Sequence, residues 1–144
     1  MTIKLLFSNY DKETKISTVL INTDLGIFKG QAILKEEDYD IESKFAGCEY
    51  AEMKAIIKYL KEKRKNINIE IKNTNNILNM LKNYKEFNSK SFEFKKINKY
   101  LYKLEKDKEN INTKIENLSK RMLSDMETRR TFLEKYNKLT KKGE

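Results

Sequence analysis

The hydrophobic positions of this chain repeat with two different periods, and the change falls near residue 43. Before it, residues 3–7, 15–21 and 27–34 form three short runs rich in β-branched and aromatic side chains, which predict strands. Residues 9–13 and 22–26 supply turn formers between them. An antiparallel meander is the simplest connection. Three strands alone are marginal, so one face of the sheet needs a helix over it. An acidic segment, residues 36–42, follows. Asp40 or Ser43 is placed to cap the next helix, whose positive N-terminal end suits carboxylates.

From about residue 44 the spacing becomes helical. Met53, Ile57, Leu60, Arg64, Ile67, Ile71, Thr74, Leu78 and Leu81 follow steps of three and four, a heptad seam with polar interruptions at Arg64 and Thr74. A second seam runs through Ile97, Leu101, Leu104, Lys108, Ile111, Ile115, Leu118 and Met122. It then slips to Met126, Arg129, Leu133 and Tyr136, a stutter that locally unwinds a supercoil. The break between the seams, near residues 88–91, predicts a turn. Two long helices with a short link pack antiparallel, so facing residues have numbers summing to about 178. Ile57 then meets Arg121 or Met122, Leu60 meets Leu118, and Ile67 meets Ile111. The expected fold is α+β: a small antiparallel sheet of about three strands followed by a long antiparallel helical hairpin. It forms one domain over 1–144, with the meander and acidic loop in 1–42 and the hairpin in 43–141.

Charge follows the same division. Residues 1–52 hold 6 Lys/Arg against 10 Asp/Glu, and residues 53–144 hold 25 against 12. The basic second part favours an anionic partner: a nucleotide, a nucleic acid or an acidic protein. The abundance of Lys, Asn and Ile also matches an AT-rich coding bias, against which the four arginines stand out. Hydrophobic residues make up 38% and charged ones 37%, compared with about 45–50% and about 25% in a compact domain. This composition predicts an elongated, surface-rich chain or a homo-oligomer. Cys48 is the single cysteine, so no internal disulfide forms and a reducing cytosol is expected. No apolar run approaches the roughly 18 residues of a membrane span, and no signal-peptide pattern is recognisable. A cytoplasmic location without a membrane anchor is the expectation.

Catalytic chemistry has little to stand on. The chain contains no histidine, the commonest general base and nitrogen metal ligand. Cys48 therefore has no imidazole to activate it, and no glycine-rich phosphate loop occurs. The acids at 36–40 lack the spacing of a calcium loop. Neither an enzyme nor a cofactor nor a metal site is expected.

Two regions are candidates for ligand contact. At the hairpin tip, Tyr84, Phe87, Phe92 and Phe94 crowd the turn beside Asn88 and Asn98. Such rings either cover each other, join two protomers, or stack on a base while the amides hydrogen-bond it. At the other end of the hairpin lie Arg121, Arg129 and Arg130, whose planar forks suit phosphate. The alternative for Arg129 is a salt bridge with Glu49 or Glu52. Gly47 and Ala51, four apart at the start of the first helix, permit close backbone approach, either to the sheet or to a second protomer.

One stretch carries a resemblance. Phe28-x-Gly30-x-Ala32, the acids and aromatic at Glu37, Asp38, Tyr39 and Asp40, then Gly47-x-x-Tyr50-Ala51-Glu52-x-Lys54-Ala55 resemble a pattern in small phage-encoded proteins. Among these, the chain is similar over roughly residues 14–60 to the first Thoeris anti-defence family. Members are phage sponges that hide the cyclic ADP-ribose isomer made by a bacterial TIR-domain immune enzyme, and they can also hold cyclic oligonucleotides. The resemblance implies a non-enzymatic protein of the bacterial host cytoplasm, a dimer or dimer-based oligomer that sequesters a small anionic nucleotide. Lys54 falls at a motif position that takes Arg or Lys and joins the candidate ligand-binding residues on that ground. The competing reading is a basic helical protein that binds nucleic acid or blocks a nucleic-acid-guided nuclease, as an anti-CRISPR does. The scatter of lysines around both helices counts against it. A coiled coil without a ligand is a third reading.

Overall fold

The computed structural model describes residues 3–35, 44–83 and 92–142, with side chains described for 3–35, 46–83 and 92–131. The acidic segment, its proposed caps Asp40 and Ser43, and the turn at 88–91 lie outside the described residues. Three strands come first: β1 (Lys4–Asp11), β2 (Ile16–Thr23) and β3 (Gly26–Ile33). Two helices follow, α1 (Lys44–Lys82) and α2 (Phe92–Lys142). The fold is α+β, as the two hydrophobic periods predict.

The sheet is an antiparallel meander in the order β1-β2-β3. A register irregularity between Leu5 and Phe7 interrupts β1 opposite β2. Alternation on β2 decides which face is covered. Ser17, Val19 and Ile21 are buried, while Ile16, Thr18 and Leu20 on the opposite face are only half-buried.

The chain divides into two compact units. The first contains the three strands, α1 as far as Tyr59 and α2 from Glu116 onward. Its core is the covered face of β2 and β3 against Ala46, Ala51, Ala55 and Tyr59 of α1, all buried. Small residues let the helix come very close. A Cβ on Gly30 would overlap the Ala51 carbonyl oxygen and lie 2.7 Å from the Ala55 nitrogen; one on Gly47 would overlap the Ser17 hydroxyl. The two small residues on α1 thus pack against the sheet. Phe28 meets Tyr59 edge-on, with ring centroids 5.7 Å apart. The Tyr59 hydroxyl donates to Asp24 in the β2–β3 turn. Burial of the phenol, reinforced by that carboxylate, pushes its pKa up to about 12.

The second unit contains α1 from Leu60 and α2 as far as Ile115. Both seams are visible in burial. Leu60, Thr74, Leu78, Leu104 and Ile111 are buried, and Arg64, Ile67, Ile71, Leu81, Ile97, Leu101, Lys108 and Ile115 are half-buried. The interruptions are resolved locally: Arg64 Nη1 donates to Asn112 Oδ1 at 2.9 Å, and Thr74 Oγ1 to the Glu70 carbonyl at 2.8 Å. Arg64 therefore ties the two helices together across the seam.

Hydrogen bonds between the helices follow the count from the turn for Arg64 with Asn112 and for Tyr50 with Asp125, whose numbers sum to 176 and 175. Arg121 departs from it, its Nη2 reaching Glu49 Oε1 at 3.0 Å. The slip at Met122–Met126 lies further along α2 than Arg121. That slip is itself present, with Met122, Met126 and Arg129 all half-buried.

Candidate ligand-binding cavity

In the first unit, the sheet end, the start of α1 and the later part of α2 enclose a cavity of about 310 Å³. This is the lower end of the range for small-molecule sites, about 300–1,000 Å³. Each wall follows from a local pattern. Gly47, Tyr50 and Lys54 stand at i, i+3 and i+7 on α1, hence on one helical face. Met122, Met126 and Arg129 form the equivalent row on α2, which the four-residue slip turns toward the cavity, with Arg130 beside it. The sheet contributes the end of β3 with Ile33, Leu34 and Lys35, and the turn before β2 with Lys15.

The lining combines an apolar interior with cations. Ala32, Ile33, Leu34, Ala46, Met122 and Met126 supply the apolar part, and Tyr10 and Tyr50 supply rings. Lys15, Lys35, Lys54, Arg129 and Arg130 also line it, and among the described lining residues none carries a carboxylate. A cavity of this kind suits an anion attached to a flat or apolar body.

One acid stands just behind the wall. Asp125 accepts the Tyr50 hydroxyl and, at 3.0 Å, Arg129 Nε. The Tyr50 bond, then the Arg129 bond, holds the Asp125 carboxyl below its ordinary range. Tyr50 is pushed up to about 12, first by burial and then by the bond to Asp125. Arg129 is raised in turn, chiefly by Asp125. The carboxylate therefore fixes both a ring and a guanidinium of the cavity. Only Nε is needed for the ion pair, so the fork keeps further donors. Because the folded pKa of Asp125 lies below its unfolded value, the stabilisation it brings is full above about pH 4 and is lost as pH falls through the folded pKa. Acid unfolding followed by circular dichroism is expected to show a loss of stability below about pH 4 that is smaller in Asp125→Asn.

Three of the sequence-predicted residues, Lys54, Arg129 and Arg130, meet in this cavity. Arg121 does not line it and is paired with Glu49, both exposed. The salt bridge to Glu49 therefore belongs to Arg121, and Arg129 finds its acid one turn away on its own helix. Phe92, Phe94 and Asn98 belong to the second unit. Phe92 is 75% exposed, Asn98 is exposed and Phe94 is half-buried. Tyr84, Phe87 and Asn88 lie outside the described residues. Sequence reasoning missed Tyr10, Lys15, Lys35, Tyr50 and the two methionines. The methionines had a signal in the slip of the second seam, and Tyr50 in the motif that carries Lys54. The others had none.

Among the described residues no group of three or more Cys, Asp or Glu side chains is gathered to hold a metal ion. Among them, too, no helix is long and apolar enough to cross a membrane. In comparisons with known proteins, no family, no curated protein and no solved structure gives a match.

Proposed function

We propose that this chain is a binding protein that captures a small anionic nucleotide in the sheet–helix cavity and holds it without turnover. The observation that carries this reading is the cavity's composition: five cations from the sheet end, α1 and α2 around an apolar, ring-bearing interior, with no carboxylate among the described lining residues. A phosphate fits the cations and a purine fits the methionines and tyrosines. No histidine exists to move protons, which favours capture over reaction. The resemblance in residues 14–60 gives the finer form: a phage counter-defence sponge, oligomeric in the bacterial host cytoplasm, for a cyclic ADP-ribose isomer or a cyclic oligonucleotide.

Calorimetry with cyclic ADP-ribose isomers and cyclic di- and trinucleotides tests it. Binding of at least one, followed by chromatography that recovers the ligand unchanged after denaturation, is expected. Absence of heat with every compound defeats the proposal.

A second reading has one observation behind it. Lys96, Lys99, Lys103 and Lys106 border a single shallow groove on α2 together with Tyr102. Lys106 Nζ lies 5.8 Å from the centre of the Tyr102 ring, which is 66% exposed. A row of lysines three and four apart beside an open ring suits a phosphate backbone with a stacked base. Adding single-stranded RNA and DNA to the same panel separates the readings, since this mode weakens steeply with salt.

A further inference from the structure

The turn between β1 and β2 puts a lysine where its closing geometry favours glycine or asparagine. Asp11 Oδ1 accepts the Glu13 amide at 2.9 Å, and the Asp11 carbonyl accepts the Lys15 amide at 2.8 Å. Closing the loop this way places Lys15 at φ +59°, the left-handed region. Residues with a Cβ pay for that conformation, and glycine or asparagine normally occupies it. The β2–β3 turn obeys the rule, with Gly26 at φ +108°. Asparagine is plentiful in this chain, so a cheaper residue was at hand for position 15.

Lys15 is also held at both of its backbone groups. Its amide goes to Asp11, and its carbonyl accepts the Leu34 amide at 2.9 Å, which ties the turn to the end of β3. The strained residue thus sits at a fixed point, and that point is on the cavity wall, beside Leu34 and Lys35. Strained backbone persists where function asks for the side chain it carries.

We infer that Lys15 is an anion anchor of the cavity, retained against its backbone cost because its ammonium contributes a cation from the sheet side, where α1 and α2 supply Lys54, Arg129 and Arg130. This rests on the cavity being the ligand site. It adds a residue-level trade: position 15 gives up stability for affinity.

The test uses the full chain, calorimetric titration with cyclic ADP-ribose, and melting curves without ligand. Lys15→Gly relieves the conformation and is expected to melt about 3 °C higher while binding about tenfold more weakly, the lower end for one charge-assisted contact. Lys15→Asn should lose the same affinity, and Lys15→Arg should keep it. Unchanged affinity in Lys15→Gly and Lys15→Asn, with the wild type binding normally, overturns the anchor and leaves the cavity reading intact. A lower melting point in Lys15→Gly overturns the strain argument and with it the trade. Absence of binding by the wild type overturns both the anchor and the reading beneath it.

Discussion

Replacing Gly30 with alanine is expected to cost about 3 kcal/mol, at the upper end of overpacking penalties, and to lower the melting temperature by roughly 10 °C. The reason is the identity of the atoms in the way. The new methyl would overlap the Ala51 carbonyl oxygen, approach the Ala55 nitrogen to 2.7 Å and the Ala51 carbonyl carbon to 2.9 Å. All three belong to the α1 backbone, so no side-chain rotation clears the space. The helix has to move off the sheet, and with it Ala51, Ala55 and Tyr59, each fully buried. Gly47→Ala is the contrast. Its methyl would overlap a single serine hydroxyl, which can turn about χ1, and alanine gains about 1 kcal/mol of helix propensity over glycine. Its net change is expected to stay within about 1 kcal/mol of zero. Chemical denaturation of both variants measures the difference. Equal effects at the two positions would mean that the helix does not rest on the sheet through Gly30.

The same contact shows how far the sequence could be read. The seams were legible because helical burial is periodic, and the period survives the polar intruders Arg64, Thr74 and Lys108. Even the slip at Met122–Met126 appears in the spacing alone. Strand order follows from consecutive β-rich runs joined by short turns. Gly30 was visible as part of a motif, yet its partner lies more than twenty residues on, and nothing local says that a helix backbone will fill the missing Cβ. Gly30, Ala51 and Ala55 are accounted for by close packing, so the motif speaks of sheet–helix contact before it speaks of a ligand. Lys54 is the motif position that reaches the cavity.

The cavity was half legible for the same reason. Arginines on a lysine-rich helix attract notice because they depart from the chain's composition, and Arg129 and Arg130 do line the site. Arg121 drew equal notice and is spent on Glu49. Which arginine meets which acid depends on helix rotation to within a fraction of a turn, and the stutter changes that rotation. Lys15 was illegible, because one lysine among many leaves no mark in composition, and its left-handed backbone is dictated by a turn that most sequences close with another residue.

Removing both cavity arginines, as Arg129→Gln with Arg130→Gln, is expected to weaken cyclic nucleotide binding by at least about 100-fold. Each charge-assisted contact is worth about 1.5–3 kcal/mol, and every 1.4 kcal/mol is about a factor of ten. Two factors push the loss toward the larger figure. Arg129 is held in place by Asp125 before any ligand arrives, so its ordering cost is already met. Without it, the Asp125 carboxylate is left unneutralised beside the cavity and repels the incoming anion. Arg129→Lys is expected to lose most of the affinity of the single site, because an ammonium cannot present Nε to Asp125 and a pair of donors to a phosphate at once. Lys120→Gln, on an exposed lysine already paired with Glu116, supplies the comparison for bulk charge, since long-range attraction alone is screened within about 8–10 Å in physiological salt. Similar losses from Lys120→Gln and from the arginine pair would reduce the site to a general electrostatic surface. Loss in Phe92→Ser with the arginine pair still binding would transfer the ligand to the other unit, because Phe92 does not line the cavity.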